Sequence, residues 1–286
     1  MLLERGAAWP SRVPVVPQRP PAPAAGETIV TFVGHATFLI RTPELCMITD
    51  PVFAKRAGPY ALIGPRRVRE PGVRFADVPR ITHILLSHNH YDHCDLAALA
   101  SLRARDAPRV VTLLGNGRLL RAAGIDDAEE LEWWEASREP FLIAATPAQH
   151  FSARTPFDRN RALWGGFVVQ AGRSRIFFAG DSGYGPHFTA VGERFRNIDL
   201  ALMPIGAYEP RWFMKDVHMN PQEAVRAHLD TGARQSIGMH FGTFRLTTEG
   251  IDAPEDHLAR ARTAAGLSSH DFFTLSVGGS FTLGSP

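Results

Sequence analysis

The sequence has only two cysteines, Cys46 and Cys94, in 286 residues. That excludes a disulfide framework and a cysteine-rich zinc finger. Lysine is equally scarce: Lys55 and Lys215 are the only lysines, and the other 29 basic residues are arginines. Neither charge sign dominates. Against 29 acidic residues the net charge is +2, which does not mark a nucleic-acid binder. No apolar run approaches the roughly 20 residues of a transmembrane helix. The N-terminus lacks the apolar core of a secretory signal, which together with the lack of paired cysteines points to the cytoplasm. Hydrophobic residues, at 44%, are plentiful enough for a large core. Histidine, at 12, is the unusual count. A His/Asp metal site survives all of these exclusions.

Pro10, Pro14, Pro17, Pro20, Pro21 and Pro23 make residues 1–27 a polyproline-like arm or a disordered leader. The folded domain is expected over residues 28–286. Short apolar runs predict strands at Ile29–Val33 and Thr37–Arg41 around a turn at Gly34-His35, then at Leu45–Thr49 and Ile81–Ser87. Further strands are expected at Arg109–Leu114, Glu130–Trp134, Phe141–Thr146, Phe167–Ala171, Arg175–Ala179, Asp199–Pro204, Gln235–His240 and Phe272–Val277. Leu96, Leu99 and Leu102 give Asp95–Arg105 a helical spacing. Asn220-Pro221-Gln222-Glu223 carries a cap residue, an early proline and a capping-box glutamate, predicting a helix to about Asp230 that stops at Gly232. A last helix is expected over Asp256–Ala265. Pro51–Pro79 is a long segment of little periodicity. No residue repeat is visible, and strands in both halves predict two sheets flanked by helices in one domain.

The run His88-Asn89-His90-Tyr91-Asp92-His93 follows an apolar strand. Imidazole and carboxylate suit first-row metals, and polar groups in such a place are costly to desolvate without a ligand. At a strand end His88 and His90 can point the same way, while a turn into a helix sends Asp92 and His93 to a neighbouring position. One segment can thus serve two adjacent metals. More ligands must come from elsewhere, and His150, Asp181 and His240 stand at other strand ends. Glycines at 180 and 183 let the Asp181 carboxylate approach a crowded centre, where it could bridge two cations.

At these residues the chain resembles the metallo-β-lactamase superfamily, and within it the N-acylphosphatidylethanolamine-hydrolysing phospholipase D family and its bacterial relatives. The resembling segments run from Gly34–Thr37 through Thr49–Pro51, Ser87–His93, Thr146–His150, Gly180–Tyr184, Pro204–Lys215 and Asn220–Val225 to Met239–Phe244. The resemblance implies a single-domain α/β fold, a four-layer αββα sandwich, with a dinuclear zinc site between the sheets (iron or manganese being alternatives). It implies that His88, His90 and His150 hold one ion, that Asp92, His93 and His240 hold the other, and that Asp181 bridges. It also implies that His218 and Tyr91 line the substrate pocket. Phe151 and Phe241 depart from the tryptophans frequent in that family, and the family's animal members carry a longer N-terminal region.

Two cations a few ångströms apart lower the pKa of a shared water and clamp the oxygens of an in-line displacement. This fits phosphodiester hydrolysis by a metal-bridging hydroxide, which Asp92 would orient. His218, just before the capped helix, either contacts the phosphate or protonates the leaving oxygen, with the helix N-terminus supporting the anion, or else bonds to loop backbone. Trp212, Phe213 and Met214 line an acyl groove, Trp212 as a substrate contact, or form core beneath a loop. Arg66, Arg67 and Arg69 meet an anionic head group or are solvated charges. Trp133-Trp134 and His83 read as core, and Cys94 as packed beneath the loop. His35 is expected to fix the first turn, His187 to lie near the mouth, and His228, His257 and His270 to be structural or at the surface. The expected substrate is an N-acylphosphatidylethanolamine-like phospholipid or another small anionic ester. Peripheral membrane contact and a homodimer are open options, and no nucleic-acid partner is expected. The alternative function is a lactonase or another small-molecule hydrolase built on the same ligands.

Overall fold

The computed structural model describes residues 6–137 and 141–283. Residues 1–5 of the expected arm lie outside these. In the first half the chain forms β1 (Thr28–Gly34), β2 (Thr37–Arg41), β3 (Cys46–Thr49), β4 (His83–Leu86), α1 (Leu96–Asp106), β5 (Arg109–Leu113), α2 (Gly117–Leu120) and β6 (Glu129–Leu131). Then come β7 (Ala136–Ser137), β8 (Ile143–Thr146), β9 (Gly166–Ala171), β10 (Ser174–Phe178), α3 (His187–Phe195), β11 (Leu200–Pro204) and α4 (Arg211–Met214). Last are α5 (Pro221–Thr231), β12 (Gln235–Met239), α6 (Ala253–Ala264), β13 (Phe272–Phe273) and β14 (Ser280–Leu283).

Among the described residues these strands make two seven-stranded sheets, ordered β14-β1-β2-β3-β4-β5-β6 and β13-β12-β11-β10-β9-β8-β7. Each sheet is antiparallel on one side and parallel on the other. β3, β4, β5 and β6 run parallel in the first, as do β10, β11, β12 and β13 in the second. The first sheet sorts its side chains by the two-residue period of a strand. Val30, Phe32, Phe38, Ile40, Met47, Leu85 and Val111 face the second sheet and share one core with Phe167, Val169 and Phe177. Leu39, Ile48, Ile84, Leu86 and Val110 point the other way, onto Leu99 and Leu102 of α1. Residues of α3, α5 and α6, among them Phe188, Val225 and Leu258, extend the larger core. The arrangement is the expected four-layer αββα sandwich.

Several local expectations change. The predicted last strand ends at Phe273, and the chain continues to β14, which crosses to pair with β1 of the other sheet. α3 carried no sequence expectation, because Tyr184-Gly185-Pro186 reads as a loop and Gly192 interrupts its apolar pattern. The arm is not a loose leader over its described length. Ala7 N–H donates to Thr248 O at 2.9 Å, Val13 N–H to Val68 O at 2.7 Å and Gln18 N–H to Gly72 O at 2.7 Å. The indole N–H of Trp9 donates to Glu249 O at 2.8 Å. Prolines remove six donors from this extended segment, and several of the remaining ones find carbonyls on the body. Arg67 is also not a solvated charge. It is 5% exposed, donates to Val52 O and Ala54 O, and lies over the Phe244 ring. Among the described residues no helix is long and apolar enough to cross a membrane.

Candidate metal centre

The site is assembled from loops that leave the strand ends. β4 is fully buried, and beyond it Nε2 of His88 lies 2.9 Å from Nδ1 of His90. His150, after β8, brings its Nε2 to 3.2 Å from the same His90 nitrogen. A tetrahedral ion with metal–nitrogen bonds of 2.0–2.1 Å holds its nitrogens about 3.3 Å apart, so this triad is spaced for one cation. The next turn carries Asp92 and His93 to a second group. There Nε2 of His240, after β12, is 3.3 Å from Asp92 Oδ2, and Nε2 of His93 is 3.6 Å from it. Asp181, after β10, stands between the groups. Its Oδ2 lies 3.1 Å from Nε2 of both His93 and His240, and 3.9 Å from Nε2 of His150. The approach depends on Gly180, at φ +63°, where a Cβ would lie 2.4 Å from the Gly165 carbonyl oxygen.

The outer nitrogens of His88, His93 and His150 are engaged, whereas Nδ1 of His240 is buried without a partner. Asp50 accepts from His93 Nδ1 at 2.7 Å and from Ser87 N–H at 2.7 Å, and also from the Ser87 hydroxyl. The same hydroxyl oxygen lies 2.8 Å from His88 Nδ1. His150 Nδ1–H donates to Val217 O at 2.9 Å. Such outer bonds set ring orientation and turn the opposite nitrogen inward. Sequence reasoning gave Asp50 no role, although it is a carboxylate at a strand end. Its complete burial and three donors are what reveal its job. Asp50→Ala should cost about 1.5–3 kcal/mol of stability, because it strands buried donors, and urea unfolding would measure it.

Burial opposes charge throughout the cluster, and neighbours decide the outcome. It pushes His88 and His150 far below the ordinary histidine value, His35 down to about 3 and His218 down to about 4. Burial also disfavours charge on His240, yet Asp181 and Asp92 overrule it and push the ring up to about 9. His93 is likewise held well above its usual value against burial, by Asp181 and Asp92. Burial works against the Asp181 and Asp92 carboxylates too, but the same histidines hold both well below the usual range. His93 Nε2, Asp181 Oδ1 and His218 Nδ1 are buried without a hydrogen-bond partner. Orphaned polar atoms converging at this spacing fit cations, since leaving them unpaired is costly.

The other expected residues fall in different places. His218 is buried, with Nδ1 4.0 Å from Asp181 Oδ2 and its ring 5.0 Å from that of His150. Arg211 secures its loop, donating from Nη1 to His218 O and from Nη2 to both carboxylate oxygens of Glu223. The N-terminus of α5 does not offer itself to a phosphate, because its own capping box, Asn220 with Glu223, occupies it. Tyr91 is half-buried, donates to Arg154 O and lines a 440 Å³ cavity with Arg56, Tyr60 and Arg154. Trp212 is apart from the converging side chains on α4, 71% exposed, and Phe213 is 65% exposed, so neither is core. Cys94 is packed in the core cluster of α1, and burial raises its thiol to about 12. His187 is held by Ser182, His228 by Ser236 and His257 by Tyr208.

A model of the beta-lactamase superfamily domain matches residues 47–241. The chain belongs to the metallo-β-lactamase superfamily and has the fold of its hydrolases, and family and cluster together indicate a metal cofactor. Within the superfamily it resembles the N-acyl-phosphatidylethanolamine-hydrolyzing phospholipase D 1 of Caenorhabditis elegans, at 38% identity over 263 residues, covering 87% of this chain and 74% of that one. An uncharacterized protein of Mycobacterium tuberculosis is 36% identical over 243 residues, 83% of this chain; the match spans 64% of that relative's length. The crystal structure of a possible metal-dependent hydrolase from Veillonella parvula shares the fold, with a TM-score of 0.71 at 16% identity, covering 89% of this chain and 99% of that one.

Proposed function

We propose that the chain is a dinuclear metal phosphodiesterase of phospholipase D type. It hydrolyses N-acylphosphatidylethanolamine-like phospholipids to phosphatidic acid and an N-acylethanolamine. The observation that carries the reading is the place of Asp181 Oδ2, within 3.1 Å of His93 and His240 and 3.9 Å of His150, as a carboxylate shared by two ligand groups. Similarity to the nematode phospholipase D over 87% of this chain supports the lipid substrate. His88, His90 and His150 would hold one ion, Asp92, His93 and His240 the other, and Asp181 both, with zinc the expected metal. When bound, the two metals would activate water and neutralise the charge that grows on the phosphate oxygens.

The protein's own groups would supply the rest. Asp92 orients the attacking water. His218 is neutral at pH 7, since burial takes it to about 4, and can donate a hydrogen bond from its ring to the phosphate or the leaving oxygen. Its unpartnered Nδ1 beside Asp181 favours this over a bond to loop backbone. Tyr91 would contact substrate from the neighbouring cavity, and Trp212 with Phe213 would meet acyl chains or the membrane from outside. A cytoplasmic chain touching the membrane peripherally is the matching localisation.

A parallel turnover screen of N-acyl phospholipid, bis-p-nitrophenyl phosphate and lactones tests the reading. Both phosphodiesters should turn over, the phospholipid with the higher kcat/KM. Turnover of lactones alone would overturn the phosphodiesterase reading in favour of a lactonase on the same ligands.

A further inference from the structure

The turn between β1 and β2 reaches the centre through His35, a residue outside both ligand groups. His35 sits at φ +58° and is 1% exposed. Its Nε2 is 3.0 Å from Asp92 Oδ2, and a carboxylate can only accept, so this nitrogen carries the proton and has no lone pair for a metal. Its backbone carbonyl accepts the His240 N–H at 2.8 Å. The ring packs 4.2 Å from that of His240 and edge-on to Phe244 at 5.1 Å. One residue thus holds two of the three ligands proposed for the second ion, one by side chain and one by backbone. Neither contact reaches His88, His90 or His150.

We infer that His35 is a positioning residue for the second metal alone: it fixes the Asp92 carboxylate against His240, so the β1–β2 turn sets occupancy of one position in an otherwise shared site. The inference rests on the dinuclear reading above. Removing a group that orients a ligand typically weakens metal binding about 10–100-fold.

The test is zinc titration of metal-free protein against a competing chelator, with circular dichroism to confirm folding. Wild type should bind two equivalents. His35→Phe keeps a ring against Phe244 but has no donor, and it should bind the first equivalent normally and the second about 10–100-fold more weakly. If it fails to fold, His35→Ala is read in its place. His35→Gln returns a donor N–H and should restore the second equivalent, with an unchanged cobalt absorption spectrum. Two equivalents of wild-type affinity in His35→Phe would overturn the inference alone. A changed cobalt spectrum in His35→Gln would also overturn it, by making His35 a ligand. A single equivalent in wild type would overturn the dinuclear reading and this inference with it.

Discussion

Asp181→Ala is expected to lower kcat/KM by roughly 10³-fold or more, about 4 kcal/mol at 1.36 kcal/mol per tenfold, while the chain remains folded. The size follows from position. Among the described residues, Asp181 Oδ2 is the one carboxylate oxygen near Nε2 of His93, His240 and His150 together. Losing it should misplace both ions and remove a negative charge from a buried site. His93 and His240 would then shed their protons more readily, because Asp181 is a main support of both charges. That route lets the metal-free fold survive without an uncompensated charge. Steady-state kinetics with a melting curve on the same sample checks both halves. Wild-type turnover in the variant would remove Asp181 from the bridging role.

Loading metal-free protein with zinc at pH 7 should release close to two protons per chain from its histidines, in addition to the one freed when the shared water ionises to hydroxide. A metal ligand must be deprotonated, and metal binding therefore displaces whatever protons the ligands hold. In the metal-free cluster His93 is held well above its ordinary value and His240 is pushed up to about 9. Both keep their protons at pH 7, whereas His88 and His150 do not. With two protons displaced from the histidines, apparent affinity should rise at least about 100-fold, or about 2.7 kcal/mol, per pH unit near neutrality, the histidine part flattening as pH passes about 9. Calorimetric titration in buffers of different ionisation enthalpy measures the released protons. Release of none would sink the assigned protonation of the pair.

The same pair sets how the metal-free chain responds to pH. Folded values above the unfolded one mean that the stabilisation from His93 and His240 is complete below about 6.5 and is lost as pH rises, for His240 through about 9. His35 and His218 act in the opposite direction. Their folded values lie near 3 and 4, so each removes about 1.4 kcal/mol per pH unit as pH falls below 6.5 towards those values. Zinc should suppress the alkaline loss, since it takes the place of the protons.

The legible part of this protein is local. A buried strand, His83–Leu86, with three apolar residues leads straight into His88–His93, and that adjacency exposed the site because polar groups after a core strand need partners. The short apolar runs of β1 to β5 likewise announced strands, and the Asn220–Glu223 cap announced α5. The arm's course was not legible, because prolines specify an extended backbone and say nothing about which carbonyls will meet Val13 and Gln18. Nor could sequence tell that Arg67 turns inward to cap the carbonyls of Val52 and Ala54, since three arginines in four residues look alike as a string.

From sequence alone came the class of fold, the His and Asp residues suited to metal, and the division of one six-residue run between two neighbouring positions. Period, turn chemistry and ligand type act over a few residues, and a sequence displays them directly. Only the tertiary structure decided that Asp50 steadies His93, that His35 reaches Asp92 across 57 positions of chain, and that Trp212 stands in solvent. These depend on which strand ends the two sheets bring together. The long-range packing that closes the sandwich sets those distances, and no local pattern encodes them.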